Sequence, residues 1–257
     1  MRGRSVLAVF AHPDDESLAC GGLLAWCAHH GARVSLLCVT DGGHDQGKRL
    51  GELRAQELDA ACRALGVADL VLLDYEDGML PWVESGALEA DIRLAIDRFR
   101  PDVVITFDED GLYWHPDHIA VHERTTAAVA AAGSDGPALY YATVPPGCIR
   151  AVVQEAREAL ASRGLDPQSP LQVLGIVDHD AFGALAPAPT VIVDAAEFAS
   201  RKLAAIRCHR SQLRDDALTL LSERDAARLL GVEHYRRAEV GSRGETFIDR
   251  LASPTAP

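Results

Sequence analysis

Two short stretches concentrate side chains that can hold a cation or move a proton: Ala11-His12-Pro13-Asp14-Asp15-Glu16 and Tyr113-Trp114-His115-Pro116-Asp117-His118. In the first, Pro13 fixes its own φ and pushes His12 into extended backbone. The two acids after it fall where a helix begins, and a helix N-terminus favours negative charge. Neighbouring Asp side chains leave a turn in different directions, so one can ligate a metal while the other faces a water beside it. Imidazole with carboxylate is a donor set that suits zinc. The competing interpretation is capping, with Asp14 or Asp15 as N-cap and His12 a solvated loop residue. In the second stretch Pro116 suits the first helical position, which makes His115 the N-cap and puts His118 in the first turn, where a rigid element can present it. There the alternative is a pair of exposed or capping histidines. Two ligands from the first stretch and a third from the second leave one coordination position open, the arrangement of a catalytic rather than a structural zinc. His122, one turn further on, faces the core or a second acid and is left out of the ligand set.

These side chains must be carried by elements that bring them together. Apolar runs that read as strands (residues 5–11, 33–40, 68–74 and 102–107) alternate with segments of helical period (16–30, 48–65, 87–99 and 116–132). Strands that are apolar throughout suit a parallel sheet covered on both faces. Four strand–helix units in succession predict an α/β protein with an open, doubly wound, mostly parallel sheet and helices on both faces. Ligands bind such sheets outside the carboxyl ends of the strands, which is where both stretches fall. No glycine-rich phosphate loop opens the first helix; Gly21-Gly22 lies inside the helical pattern, against a dinucleotide site.

The second half is less regular. Strands are expected at 139–144, 171–177 and 190–193, and helices at 149–163 (closed by Gly164), 195–209 and 223–230. The proline loops at 145–147 and 186–189 do not mark domain boundaries. Residues 1–257 are therefore expected to form one domain, whose part from about 139 to 250 shapes the substrate site, with 252–257 a loose tail.

With 257 residues, 48% hydrophobic and 25% charged, the chain can bury a sizeable core. A formal net charge of −13 repels nucleic acid and anionic membrane surfaces overall, while leaving room for a local basic pocket. The apolar run at 5–11 is too short for a signal-peptide core, and no stretch is long enough to span a bilayer, so a cytoplasmic protein is expected. None of the six cysteines forms a C-x-x-C pair, and buried reduced thiols are expected.

The two stretches together resemble the PIG-L/LmbE-like family of N-acetylglucosaminyl deacetylases. The resemblance extends to Val39-Thr40-Asp41-Gly42, to Arg54 and Glu57, and to His209-Arg210-Ser211-Gln212, and so covers most of the chain. It implies a Rossmann-like fold and one zinc ion per chain. By the same resemblance His12, Asp15 and His118 match the metal ligands, and Asp14 the general base. His115 matches the histidine that assists the tetrahedral intermediate and leaving amine, and Tyr113 a tyrosine that polarises the amide carbonyl. Trp114 departs from the pattern, since members commonly have a small residue there, often glycine. Its indole could restrict Tyr113 or line the sugar site.

The implied reaction is hydrolysis of the N-acetyl group of a GlcNAc-type amino sugar to acetate and a free amine. Zinc would lower the pKa of a water from about 16 toward about 7, with Asp14 taking the proton. Asp14 or His115 would protonate the leaving nitrogen. Arg54 could bind a substrate carboxylate or phosphate, or pair with Glu57 on the helix surface. Asp77 could accept sugar hydroxyls, or form a turn with Gly78. His209 could close the site, or sit at a helix end. Within the family, an amidase acting on a thiol-sugar conjugate is the nearest variant. A metal-dependent phosphohydrolase and a non-catalytic sugar-binding homologue are the readings outside it. The expected partner is a small amino-sugar substrate, with homo-oligomerisation left open.

Overall fold

Strand β1 (Ser5–Phe10) is apolar throughout, and Val6 to Phe10 are wholly buried. A strand with no polar face must be covered on both sides, and β1 lies third in a seven-stranded sheet of order β3-β2-β1-β4-β5-β7-β6. Its parallel neighbours are β2 (Arg33–Thr40), in register Val6 to Val34, and β4 (Val103–Phe107), in register Val6 to Val103. β3 (Asp69–Tyr75) extends the sheet beyond β2, and β5 (Ala138–Thr143) beyond β4, both parallel. Helices α1 (Asp15–His29) and α2 (Lys48–Leu65) pack together; α3 (Ser85–Phe99) packs with α5 (Pro116–Ala132). The computed structural model describes residues 1–43 and 48–252, so all but the first residue of the expected tail at 252–257 lies outside the described residues. The open, mostly parallel α/β sheet expected from the sequence is present.

From β1 the chain winds outward one way through β2 and β3, then returns to place β4 and β5 on the other side. Between β1 and β4 the winding reverses, and a crevice opens there at the carboxyl ends of the strands. Residues 11–15 leave β1, and the turn α4 (Gly111–Trp114) with the start of α5 follows β4, so both chemistry-bearing stretches meet in that crevice.

The second half departs from expectation in two places. The apolar run 171–177 forms a tight turn rather than a strand. Leu174 (φ 47°) and Gly175 (φ 83°) take left-handed backbone, and Val173 bridges to Ile176. A ten-residue strand not expected from the sequence, β7 (Val232–Gly241), runs antiparallel to both β5 and β6 (Val191–Asp194). Its Val-Glu-His-Tyr-Arg-Arg sequence lacks an apolar run because a charged group points inward. Glu233, 3% exposed, accepts from the Gly22 and Leu23 amides, the Lys202 ammonium and the Tyr235 hydroxyl. Helix α1 is broken at Cys20 (φ −146°), and Glu233 caps its second half. A Cβ on Gly22 would come within 2.8 Å of Ala195 and 3.0 Å of the Glu233 carboxylate, so only glycine fits. Helices α6 (Cys148–Ser162), α7 (Ala199–Ile206) and α8 (Glu223–Leu229) enclose a second apolar cluster around Ile149, Val152, Leu203 and Leu218. All six cysteines are free thiols, four of them buried. Among the described residues no helix is long and apolar enough to cross a membrane.

Candidate metal centre and active-site cleft

His12 and Asp15 come from the turn after β1, and His118 from the first turn of α5. His12 Nδ1 lies 3.1 Å from His118 Nε2. Asp15 places one carboxylate oxygen 3.2 Å from His118 Nε2 and the other 3.5 Å from His12 Nδ1. Donors about 2.0–2.1 Å from one ion at tetrahedral angles stand roughly 3.3–3.4 Å apart; the separations of 3.1, 3.2 and 3.5 Å lie near that spacing, the last two made by different oxygens of Asp15.

The remaining nitrogens fix which atoms are free to ligate. His118 Nδ1 donates to the Gly111 carbonyl at 3.0 Å, leaving a lone pair on Nε2. His12 Nε2 faces Asp77 at 2.9 Å and Asp117 at 3.2 Å, so it carries a proton and Nδ1 is left to bind. Asp117, fully buried, is itself anchored by the Gly78 amide at 2.7 Å and the Leu80 amide at 3.1 Å. Two lone pairs facing each other at 3.1 Å need a cation or a proton between them. The surrounding carboxylates of Asp15, Asp77 and Asp117 attract either one.

The electrostatics follow. Burial works against an imidazolium at His12, but hydrogen bonds to Asp117, Asp15 and Asp77 outweigh it and lift its pKa well above the ordinary histidine value. Burial, with His12 and His115 nearby, lowers His118 to about 3, so it stays neutral and able to ligate. Burial disfavours ionised Asp15 too, yet His118 and His12 hold it well below the usual carboxylate range.

Asp14 (φ 131°) sits in backbone that side chains seldom adopt. Its carboxylate takes a bond from Arg54 at 3.2 Å, and its amide donates to Glu16 at 3.1 Å. Burial raises the Asp14 pKa, with Arg54 opposing. Arg54, 7% exposed, also donates to the Pro13 and Gly42 carbonyls, both at 2.9 Å. It therefore makes no surface pair with Glu57, whose carboxylate instead accepts from the Ser211 amide and hydroxyl. His115 caps α5: its Nδ1 accepts from the Asp117 amide at 3.2 Å, which leaves the proton on Nε2. Burial and the charge of His12 lower its pKa, so His115 is a neutral donor. Capping thus uses only one nitrogen of the ring.

A cleft of about 180 Å³ is lined by His12, Asp14, Arg54, Asp77, Tyr113 and His115, with Leu174, Gly175, Ile176 and Gln212 from the second half. Tyr113 lies edge-on to His118, with ring centroids 5.2 Å apart. Trp114, next to it, is 46% exposed with φ 66°, left-handed backbone in which glycine carries no penalty. His209 is wholly buried and bonds Glu16 at 3.0 Å; from its segment it is Gln212 that lines the cleft. His122 bonds the Phe107 carbonyl at 2.9 Å. Asp117, which bonds His12, and Glu16, which accepts from the Asp14 amide, belong to the two stretches, but the sequence alone assigns neither a role. Among the described residues two donor groups have all their ligand atoms within 4.8 Å of one another, His12 with His115 and His118, and His12 with Asp77 and Asp117; they share His12 and so are not independent sites.

This is an open α/β sheet with a cluster of histidines and carboxylates that could hold a metal ion at its winding reversal. The family model described as GlcNAc-PI de-N-acetylase, PIG-L, matches residues 7–129. Two relatives named 1D-myo-inositol 2-acetamido-2-deoxy-alpha-D-glucopyranoside deacetylase align over nearly the whole chain. The one from Acidothermus cellulolyticus is 37% identical over 90% of this chain and 88% of its own. The one from Nocardioides is 34% identical over 96% and 95%. The chain belongs to the PIG-L family. In fold it is similar to the N,N'-diacetylchitobiose deacetylase of Pyrococcus horikoshii (TM-score 0.60, 24% identity, 91% of this chain and 84% of that one). It is equally similar to the 4-carboxy-2-hydroxymuconate hydratase GalB of Pseudomonas putida (TM-score 0.63, 17% identity, 95% and 99%). The fold thus carries more than one chemistry, and the reaction must be argued from the site.

Proposed function

We propose that the protein is a zinc-dependent hydrolase that removes the N-acetyl group from a GlcNAc glycoside, releasing acetate and a free amine. The observation that carries this is the convergence of donors from His12, Asp15 and His118, within 3.1 to 3.5 Å of one another, beside a cleft lined by His12, Asp14 and His115. A zinc ion there would supply Lewis acidity, making water a usable nucleophile near neutral pH and polarising the acetyl carbonyl. Asp14, lining the cleft and held by Arg54, accepts the proton of the attacking water. His115, with its proton on Nε2, donates a hydrogen bond to the oxyanion, and the Tyr113 hydroxyl is a second donor. A neutral His115 with Nδ1 tied to the helix cap is poorly suited to deliver a proton, so Asp14 returns its own to the leaving amine. Arg54 is occupied by Asp14 and two carbonyls, which makes it a support for the base as much as a substrate ligand. Asp77 is shared between His12 and the cleft, and Trp114 stands exposed beside Tyr113.

The inositol glycoside named for the relatives is the substrate to test first. The whole chain acts as one domain in this reading, with the Leu174–Ile176 turn and Gln212 contributing the wall that meets the aglycone. Six free thiols support a reducing, cytoplasmic setting. The deciding experiment is an acetate-release screen of zinc-loaded protein on GlcNAc, GlcNAc-inositol, GlcNAc-malate and diacetylchitobiose. Release from at least one of these, lost on chelation and restored by zinc, is the expected result. Metal-loaded protein that cleaves none of them overturns the proposal.

A further inference from the structure

A second cavity, of about 230 Å³, lies apart from the cleft where β5 meets β7, with walls from α1, α6, α7 and α8. Its lining is mostly apolar, including Leu18, Val144, Ile149, Val152 and Leu230. Thr143, Lys202, Arg228, Glu233 and His234 break that surface. Thr143, 5% exposed, has a buried hydroxyl with no hydrogen-bond partner. Lys202, 3% exposed, gives one ammonium proton to Glu233 at 2.6 Å. Arg228 stands at the cavity with its side chain 57% exposed and paired with Glu155 and Asp225.

The charges of Glu233 and Lys202, both of which line the cavity, cancel. Glu233 is offset by Lys202, by two backbone amides at the break in α1 and by the Tyr235 hydroxyl. An unsatisfied buried hydroxyl is costly without a ligand or water, and the ammonium protons that Lys202 does not give to Glu233 favour an acceptor. An apolar cavity of roughly 150 Å³ suffices for benzene, so this one has room for a ring and a short polar tail.

We infer that the cavity is a second binding site, for a small carboxylic acid with an aryl or short alkyl body whose carboxylate meets Thr143 and Lys202. Leu18 and Ala19, three and four residues after Asp15, form part of its wall, so a ligand there braces the first turns of α1.

The test uses 4-phenylbutyrate as probe and the full chain. Cys148 lines this cavity and Cys208 does not, and both are partly exposed. Saturable binding by calorimetry is expected, with slowed alkylation of Cys148 and unchanged alkylation of Cys208. Thr143→Val, which keeps the shape and removes the hydroxyl, should weaken binding about five-fold. Ala151→Trp, at an exposed position of the wall, should abolish it, while both variants keep basal deacetylation. Absence of saturable binding overturns the inference. So does binding that survives Ala151→Trp, that leaves Cys148 unprotected, or that competes with the amino-sugar substrate. Equal affinity for 4-phenylbutanol overturns the carboxylate assignment.

Discussion

His12 Nδ1 and His118 Nε2 face each other at 3.1 Å, each ring having committed its other nitrogen: His12 to Asp77 and Asp117, His118 to the Gly111 carbonyl. Such a pair is stable only around a positive charge, and Asp15 supplies the third donor. His118→Ala should therefore lose stoichiometric zinc on dialysis, while the fold, judged by circular dichroism, persists. Unchanged zinc content in the variant, by elemental analysis, would remove His118 from the ligand set.

Asp14 makes none of the donor triangle's contacts, so its role separates from metal retention. Asp14→Asn keeps the shape and a contact for Arg54 but cannot take a proton. It should hold zinc as the wild type does and lose about 10²- to 10⁴-fold in kcat/KM for acetate release. Zinc loss in parallel with activity would instead make Asp14 a ligand.

How much of this was legible beforehand follows from where the polar groups sit. β1 and β4 announce themselves because both their faces are buried, and β2 and the edge strand β3 because a run of apolar residues forms the middle of each. β7 hid because its inward position at Glu233 carries a charge, satisfied by a helix break some two hundred residues earlier in the chain. The 171–177 run misleads because its apolar residues straddle a left-handed pair, Leu174 and Gly175. At the site, residue types and spacing identify donors, but only geometry shows that His209 serves Glu16 and that Arg54 leaves Glu57 to serve Asp14. Long-range partnerships of this kind leave no local pattern in the sequence.

Asp117 orients His12 without reaching the donor triangle. Asp117→Asn retains a carbonyl for one contact but cannot accept from His12, Gly78 and Leu80 together. Zinc affinity should fall about 10- to 100-fold, as for other residues that orient a ligand. Activity should return at saturating zinc. A kcat that stays depressed when the variant is fully loaded would show that Asp117 does more than orient.

Trp114 holds left-handed backbone at φ 66° with its side chain 46% exposed, so little packing repays the strain. Substituting alanine keeps the penalty; substituting glycine removes it. Trp114→Gly should be more stable than Trp114→Ala by about 1 kcal/mol, the reverse of the usual order. Equal midpoints in denaturant would mean that the turn relaxes to ordinary backbone once the indole is gone.

Asp216, 1% exposed, accepts from the amides of Leu218 at 2.8 Å and Leu174 at 2.5 Å, and so anchors the turn that walls the cleft. Burial raises its pKa from 3.8 to about 6, against those two hydrogen bonds. A group whose folded pKa is raised binds its proton more tightly in the folded state. Its contribution to stability is full below pH 3.8 and declines as pH rises to about 6. The gap corresponds to roughly 3 kcal/mol. Asp216→Asn cannot titrate, so the stability difference between wild type and variant should shrink across that window and level off above it. Denaturant unfolding of both proteins from acid to neutral pH measures the difference directly. A flat difference across the window would mean that the two amide bonds hold Asp216 ionised throughout.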